Sequence, residues 1–267
     1  MPYYLANKAC TDMNGYFGCK SAIDTKQTLV DFSIWFRCLV KVVQKSDEGP
    51  TSDGKEYWWR EMAFFMRWSP RECRVLCIGT PPCLRQSLPT ALEEQHKALL
   101  EIQDPFAMIL PIVDQIIELY DDSIWRIRDQ VRLQELNRER QTKDFVAMHD
   151  ATRHTNHLVE VHAVTIETLE QMLQQQKCVY ENLPAGTLQE QNLRRQASEY
   201  LRFQLYLMKS LHCRSISINE RMSSETALAY NIIASEDNAT MKSIALLTMT
   251  VLPATFISVG NTEILEA

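Results

Sequence analysis

TLQEQNLRRQASEYLRFQLYLMKSLHCRSISINERMSSETALAYNIIASEDNATMKSIALLTMTVLPATFISV, residues 187–259, holds no glycine, and its one proline is Pro253 near the end. Nothing before Pro253 breaks a helix, so the stretch predicts a single helix of about 73 residues, roughly 110 Å long. No globular domain needs such a length. Leu201, Leu205, Met208, Leu211, Ser215, Ile218, Met222, Ala229 and Ile232 recur at near-heptad steps, so the helix should pack against neighbours like a stalk. Its last part, Ser243–Val259, is uncharged and about 26 Å long, slightly short of the ~30 Å hydrocarbon core of a bilayer. Two readings stand: a marginal transmembrane helix over 241–259, or a buried amphipathic helix, which the three threonines, two serines and proline in the run favour. Lys242, Arg214 and Arg221 precede the run, whereas Glu263 and Glu266 follow it. By the positive-inside tendency the N-terminal body would be cytoplasmic, with 260–267 as a short tail on the other side.

Upstream, the period of the apolar residues changes twice. Phe32, Ile34, Phe36, Cys38, Val40 and Val42 alternate within Leu29–Val43, which predicts a strand. The Gly, Pro, Ser and Asp residues of 45–54 predict a loop. Tyr57–Trp68 reads as strand or helix, and Arg74–Ile78 as a further strand. After Thr80-Pro-Pro82 the steps become three and four. Ile109, Val113, Ile116, Tyr120, Ile124, Ile127 and Val131 form one helical stripe. Phe145, Met148, Thr155, Leu158, Thr165, Leu169 and Met172 form another, ended by Asn182-Leu-Pro-Ala-Gly186. The expected fold is therefore α+β: an N-terminal antiparallel sheet, long antiparallel helices, then a very long stalk helix running into one transmembrane helix. The expected divisions are a partial α/β cytoplasmic domain over 1–95, a long-helix and stalk region over 96–240, and the membrane helix and tail.

A net charge of −6 and a pI near 5.6 argue against a nucleic-acid partner, which demands a surplus of Lys and Arg. The first ten residues show no charged leader before an apolar run, so no cleavable secretory signal is expected. Eight cysteines lie scattered without Cys-x-x-Cys pairs and are expected mostly as small buried apolar groups. P-loop, dinucleotide-binding, Gly-x-Ser-x-Gly and His-Glu-x-x-His patterns are all absent, so no enzymatic activity is expected.

Tyr230–Ser258 resembles the junction between the stalk helix and first membrane helix of CorA-type magnesium transporters, in particular the CorA-like proteins of filamentous fungi. Phe64–Trp68, Ile117–Asp129 and His149–His154 are similar to the same relatives. The resemblance implies a cytoplasmic α/β domain, a five-fold homo-oligomer, and a pore lined by the first of two membrane helices. By resemblance Asn238, Met241, Ile244, Thr248, Leu252 and Thr255 would line that pore, with Mg²⁺ as the transported or regulatory ion and no other cofactor. The Gly-Met-Asn signature of the family does not follow Ser258, and no second apolar run appears. A truncated or degenerate homologue, inefficient alone and assembling with itself or with full-length relatives, is the expectation. The alternative is a membrane-associated helical interaction or regulatory protein without transport. A separate metal site is also read from the sequence: Asp150, His154 and His157 share a narrow arc of one helix, with Glu160 close by.

Overall fold

A computed structural model describes residues 13–264 other than 27, 45–56, 95 and 139–143, with side chains described as far as residue 250. The chain opens with four strands, β1 (Gly15–Ile23), β2 (Leu29–Val43), β3 (Tyr57–Ser69) and β4 (Glu72–Ile78), paired antiparallel in the order β1-β2-β3-β4. Five helices follow: α1 (Pro82–Glu94), α2 (Lys97–Glu101), α3 (Leu110–Leu136), α4 (Phe145–Glu181) and α5 (Leu188–Ile264).

The alternation in β2 does what period two requires. Phe32, Ile34, Phe36, Cys38, Val40 and Val42 are all buried. Tyr57–Trp68, ambiguous in the sequence, falls inside β3. Its Met62, Phe64, Met66 and Trp68 stand opposite Cys38, Phe36, Ile34 and Phe32, and the Phe36 and Phe64 rings stack at 4.9 Å. Only a cross-strand partner settles such a run, because its residues are apolar at both helical and strand spacings. α3 and α4 cover this face of the sheet. Phe36 and Cys38 meet Val113 and Ile116 of α3 and Thr165 and Leu169 of α4 around a void of about 10 Å³, no more than one water occupies. The other face is open only in part: Val30, Leu76 and Ile78 are exposed there, beside the Arg67–Asp31 ion pair, whereas Leu39, Lys41 and Val43 of β2 are buried.

Hydrogen bonds tie helices to sheet where side chains alone would slide. Tyr120 of α3 donates its hydroxyl to the Leu39 carbonyl at 3.1 Å, with Thr165 Oγ1 of α4 2.6 Å away. Ser123 donates to the Lys41 carbonyl. α5 lies against α3 and α4 through Leu201, Leu205, Met208, Leu211, Ser215, Ile218, Met222 and Ala229, all buried, while Ile232 is only partly so. Gln204 Nε2 donates to Asp114 Oδ1 at 2.6 Å and Tyr200 to Asp114 Oδ2 at 2.8 Å. Arg221 grips Glu135 with two bonds of 2.8 and 2.6 Å. The helix starts cleanly: the Glu190 carboxylate accepts from Thr187 N–H, and Thr187 Oγ1 from Glu190 N–H, a capping box.

Two expectations need correction. α5 does run as one helix, 77 residues long. It does not deliver the transmembrane helix expected over 241–259: among the described residues no helix is long and apolar enough to cross a membrane. Glu236, Asp237 and Lys242 sit within about two turns of Ile244, so among residues with described side chains the uncharged stretch is only Ser243–Thr250, far shorter than the roughly 20 a bilayer core demands, and 251–259 lie outside those residues. The cysteines are also less hidden than expected. Cys38 is buried, Cys19, Cys73 and Cys77 are half-buried, and Cys83, Cys178 and Cys213 are exposed; Cys10 lies outside the described residues.

Candidate functional site

The helix arc carrying Asp150, His154 and His157 packs against the middle of the sheet, where one residue overturns its expected chemistry. Lys41 stands between Val40 and Val42 in β2 and is fully buried, so its ammonium must find partners inside the protein. It finds His157 Nδ1 at 2.8 Å and the ring faces of Tyr57 and Trp59 of β3, at 4.3 and 5.0 Å. Aromatic faces carry negative charge density and partly replace the lost water. Burial still pushes Lys41 down to about 8, Arg153 lowering it further and Asp150 opposing. A charged Lys41 donates, so His157 accepts at Nδ1 and keeps its own proton on Nε2.

His154 is buried, its ring edge-on to Tyr57 at 5.1 Å, and is held down to about 3 by burial and then by Lys41, Arg153 and His157. Asp150 accepts from Arg153 at 2.9 Å, and Glu160 accepts from Asn14. The structure thus brings Asp150, His154 and His157 to one place but gives each a different partner. Two positive side chains stand where a metal would need negative ones. Among the described residues no group of three or more His, Cys, Asp or Glu is arranged to hold a metal ion.

Lys41 is the member of this cluster that no pattern in the sequence singled out. Its signal was present, a lone cation inside Leu39–Val43, but its partner is 116 positions away. Replacing it tests the arrangement. Lys41→Met should leave stability within about 2 kcal/mol, since an apolar isostere removes a desolvation cost along with a hydrogen bond. The pKa values of His154 and His157, both lowered by Lys41, should then rise in an NMR titration of the imidazole protons. Unchanged His157 titration would show that the ammonium is not beside the ring.

The residues aligned by resemblance with a pore lie elsewhere. Asn238, Met241, Ile244 and Thr248 are all exposed on the part of α5 that projects beyond the sheet and helices, Met241 at 71% and Ile244 at 60%. Leu252 and Thr255 lie outside the residues whose side chains are described. The Thr248 hydroxyl donates to the Ile244 carbonyl at 2.7 Å, as Thr240, Ser243 and Thr250 do one turn back along the same helix. Such back-bonding satisfies hydroxyls on a helix that meets no neighbour.

No family model matches the chain. It is 26% identical over 240 residues to the notoamide biosynthesis cluster protein M' of Aspergillus versicolor, a match covering 76% of this chain and 50% of that protein. The chain therefore spans about half the length of this curated relative. The structure of the full-length CmaX protein superposes with a TM-score of 0.55 at 15% identity, covering 85% of this chain and 62% of CmaX. At that identity the likeness concerns the fold alone: this chain shares its fold with CmaX.

Proposed function

We propose that this chain is a non-enzymatic interaction protein of CorA-like fold that joins copies of itself, or longer relatives, through the projecting part of α5. The observation that carries this reading is the exposure of that segment. Every described residue from 234 to 250 is exposed, and Met241, Ile244, Leu246, Leu247 and Met249 are 60–81% accessible. Helices in water draw most of their stability from packing an apolar face, and a run of large apolar side chains without cover marks an interaction surface. Asn238, Met241, Ile244 and Thr248 follow one another at steps of three, three and four, the spacing of a helix–helix seam. In this reading that stripe is the seam between copies. A relation to divalent-cation transporters is supported by the fold likeness, and the five-fold count implied by the sequence resemblance is one form the assembly takes.

Sedimentation equilibrium of the full chain at micromolar concentrations tests it. The wild type should be oligomeric, and the Ile244→Glu, Leu247→Glu double variant should shift to monomer with most of its helical circular dichroism retained. A monomeric wild type would end the proposal. Mg²⁺ uptake by cells expressing the chain then separates a conducting assembly from one that only binds.

A further inference from the structure

A cavity of about 230 Å³ lies where the β3–β4 turn faces the connection from α2 to α3. Trp68, Leu100 and Met108 give it apolar walls, Cys73, Gln103 and Asp104 also line it, and the exposed Arg71 and Glu72 of the β3–β4 turn stand at it as well. Gln103 closes α2 with φ of 54°, the left-handed conformation of a helix C-terminal cap where glycine is usual. Its N–H reaches the Leu100 carbonyl at 3.0 Å, that of Asp104 the Leu99 carbonyl at 2.9 Å, and Trp68 Nε1 holds the Gln103 carbonyl at 2.9 Å. Asp104 is fixed by this cap.

The Asp104 carboxylate is 3% exposed and only half satisfied. Oδ1 accepts from Phe106 N–H at 2.7 Å and from the Tyr180 hydroxyl at 3.1 Å. Oδ2 is buried and has no donor. A carboxylate oxygen taken from water without a donor is expensive to keep. No neighbour supplies one. Arg194 acts on Asp104 from a distance and donates its Nη1 to the Pro184 carbonyl, while its own Nε is unpartnered. Glu72 at the rim is taken by Arg74 at 2.7 Å.

We propose that this cavity binds a small organic primary ammonium whose N–H donates to Asp104 Oδ2 and whose apolar body lies against Trp68, Leu100 and Met108. A divalent metal fits the residues less well. Burial pushes the Cys73 thiol up to about 11, so it stays protonated and leaves a single carboxylate, where a metal demands several anionic or neutral ligands. An ammonium needs one good acceptor and a shaped apolar wall, and both are present.

Calorimetric titration of the full chain with benzylamine and with benzyl alcohol, its neutral counterpart of similar size, reads the proposal directly. Benzylamine should bind saturably and about tenfold more tightly than the alcohol, the difference one charge-assisted hydrogen bond confers. Asp104→Asn should erase that preference, and Met108→Trp, which fills the cavity and leaves the carboxylate in place, should abolish binding of both. The comparison of the two ligands on the wild type needs no variant, so it stands even if Asp104→Asn disturbs the cap. Absence of saturable binding, equal affinity for the two ligands, or undiminished binding in a folded variant would overturn the site.

Discussion

Lowering the pH from 7 to 4 should destabilise the folded chain by on the order of 5 kcal/mol, because two imidazoles are folded into places that keep them neutral. His162 of α4 is fully buried, with both ring nitrogens unpartnered and the ring edge-on to Tyr120 at 4.9 Å. Burial, and then His212 of α5, hold it down to about 3. His154 is held down to about 3 as well. In the unfolded chain both take up protons near 6.5, so between about 6.5 and 3 the unfolded state binds more protons than the folded one. Their contribution is whole above 6.5 and is lost as pH falls through that window, at up to about 1.4 kcal/mol per pH unit for each ring. Asp104, raised to about 6 by burial, works in the opposite sense and softens the slope. Urea unfolding at half-unit pH steps measures this. His162→Phe should reduce the slope by about half, whereas a wild-type midpoint that stays flat between pH 6.5 and 4.5 would mean these rings are hydrated.

Tyr120→Ala should cost about 3–5 kcal/mol, the largest effect of any single side chain considered. Tyr120 is fully buried and belongs to three elements at once: it sits on α3, bonds to β2 at the Leu39 carbonyl and touches α4 at Thr165. Truncation leaves a cavity the size of a ring and strips the Leu39 carbonyl of that donor. Tyr120→Phe separates these contributions, since it keeps the ring and loses only the hydroxyl; about 1–2 kcal/mol is expected there. The comparison is read from denaturant midpoints at pH 7.5, where the buried imidazoles are neutral in both states. If the Ala and Phe variants were equally stable, the ring would not be packed as described.

The elements of the fold were legible where one periodicity acted alone. All seven residues of the Ile109–Val131 stripe are buried, as are the six alternating residues of β2. Phe145, placed on the α4 stripe, is 37% exposed, because it opens the helix just after the cap at Asp144, where the ring of Tyr230, itself exposed, covers only part of it at 5.8 Å. Hydropathy misled at the end of α5. A run of Thr and apolar residues reads alike in a lipid-facing and a protein-facing helix, and only the charges before it and the packing around it distinguish the two. The site was less legible still. Helical spacing correctly placed Asp150, His154 and His157 together, but the residue that decides their chemistry, Lys41, arrives from a strand more than a hundred positions earlier, and no local pattern encodes that meeting. His162 and Asp104 were silent for the same reason: what matters about each is an unmet hydrogen bond, which belongs to three-dimensional surroundings.

The unbroken course of α5 has a mechanical corollary. From Ile233, where its cover ends, to Thr250 the helix extends for roughly 25 Å with no glycine or proline to absorb bending. A tilt of about 5° at the sheet end would carry the tip sideways by about 2 Å, comparable to the helix shifts that reset subunit interfaces. Small rearrangements among α3, α4 and the first half of α5 are thereby geared up into displacements at the far end. The helix is a lever whose fulcrum lies in the Arg221–Glu135 and Arg138–Glu225 ion pairs.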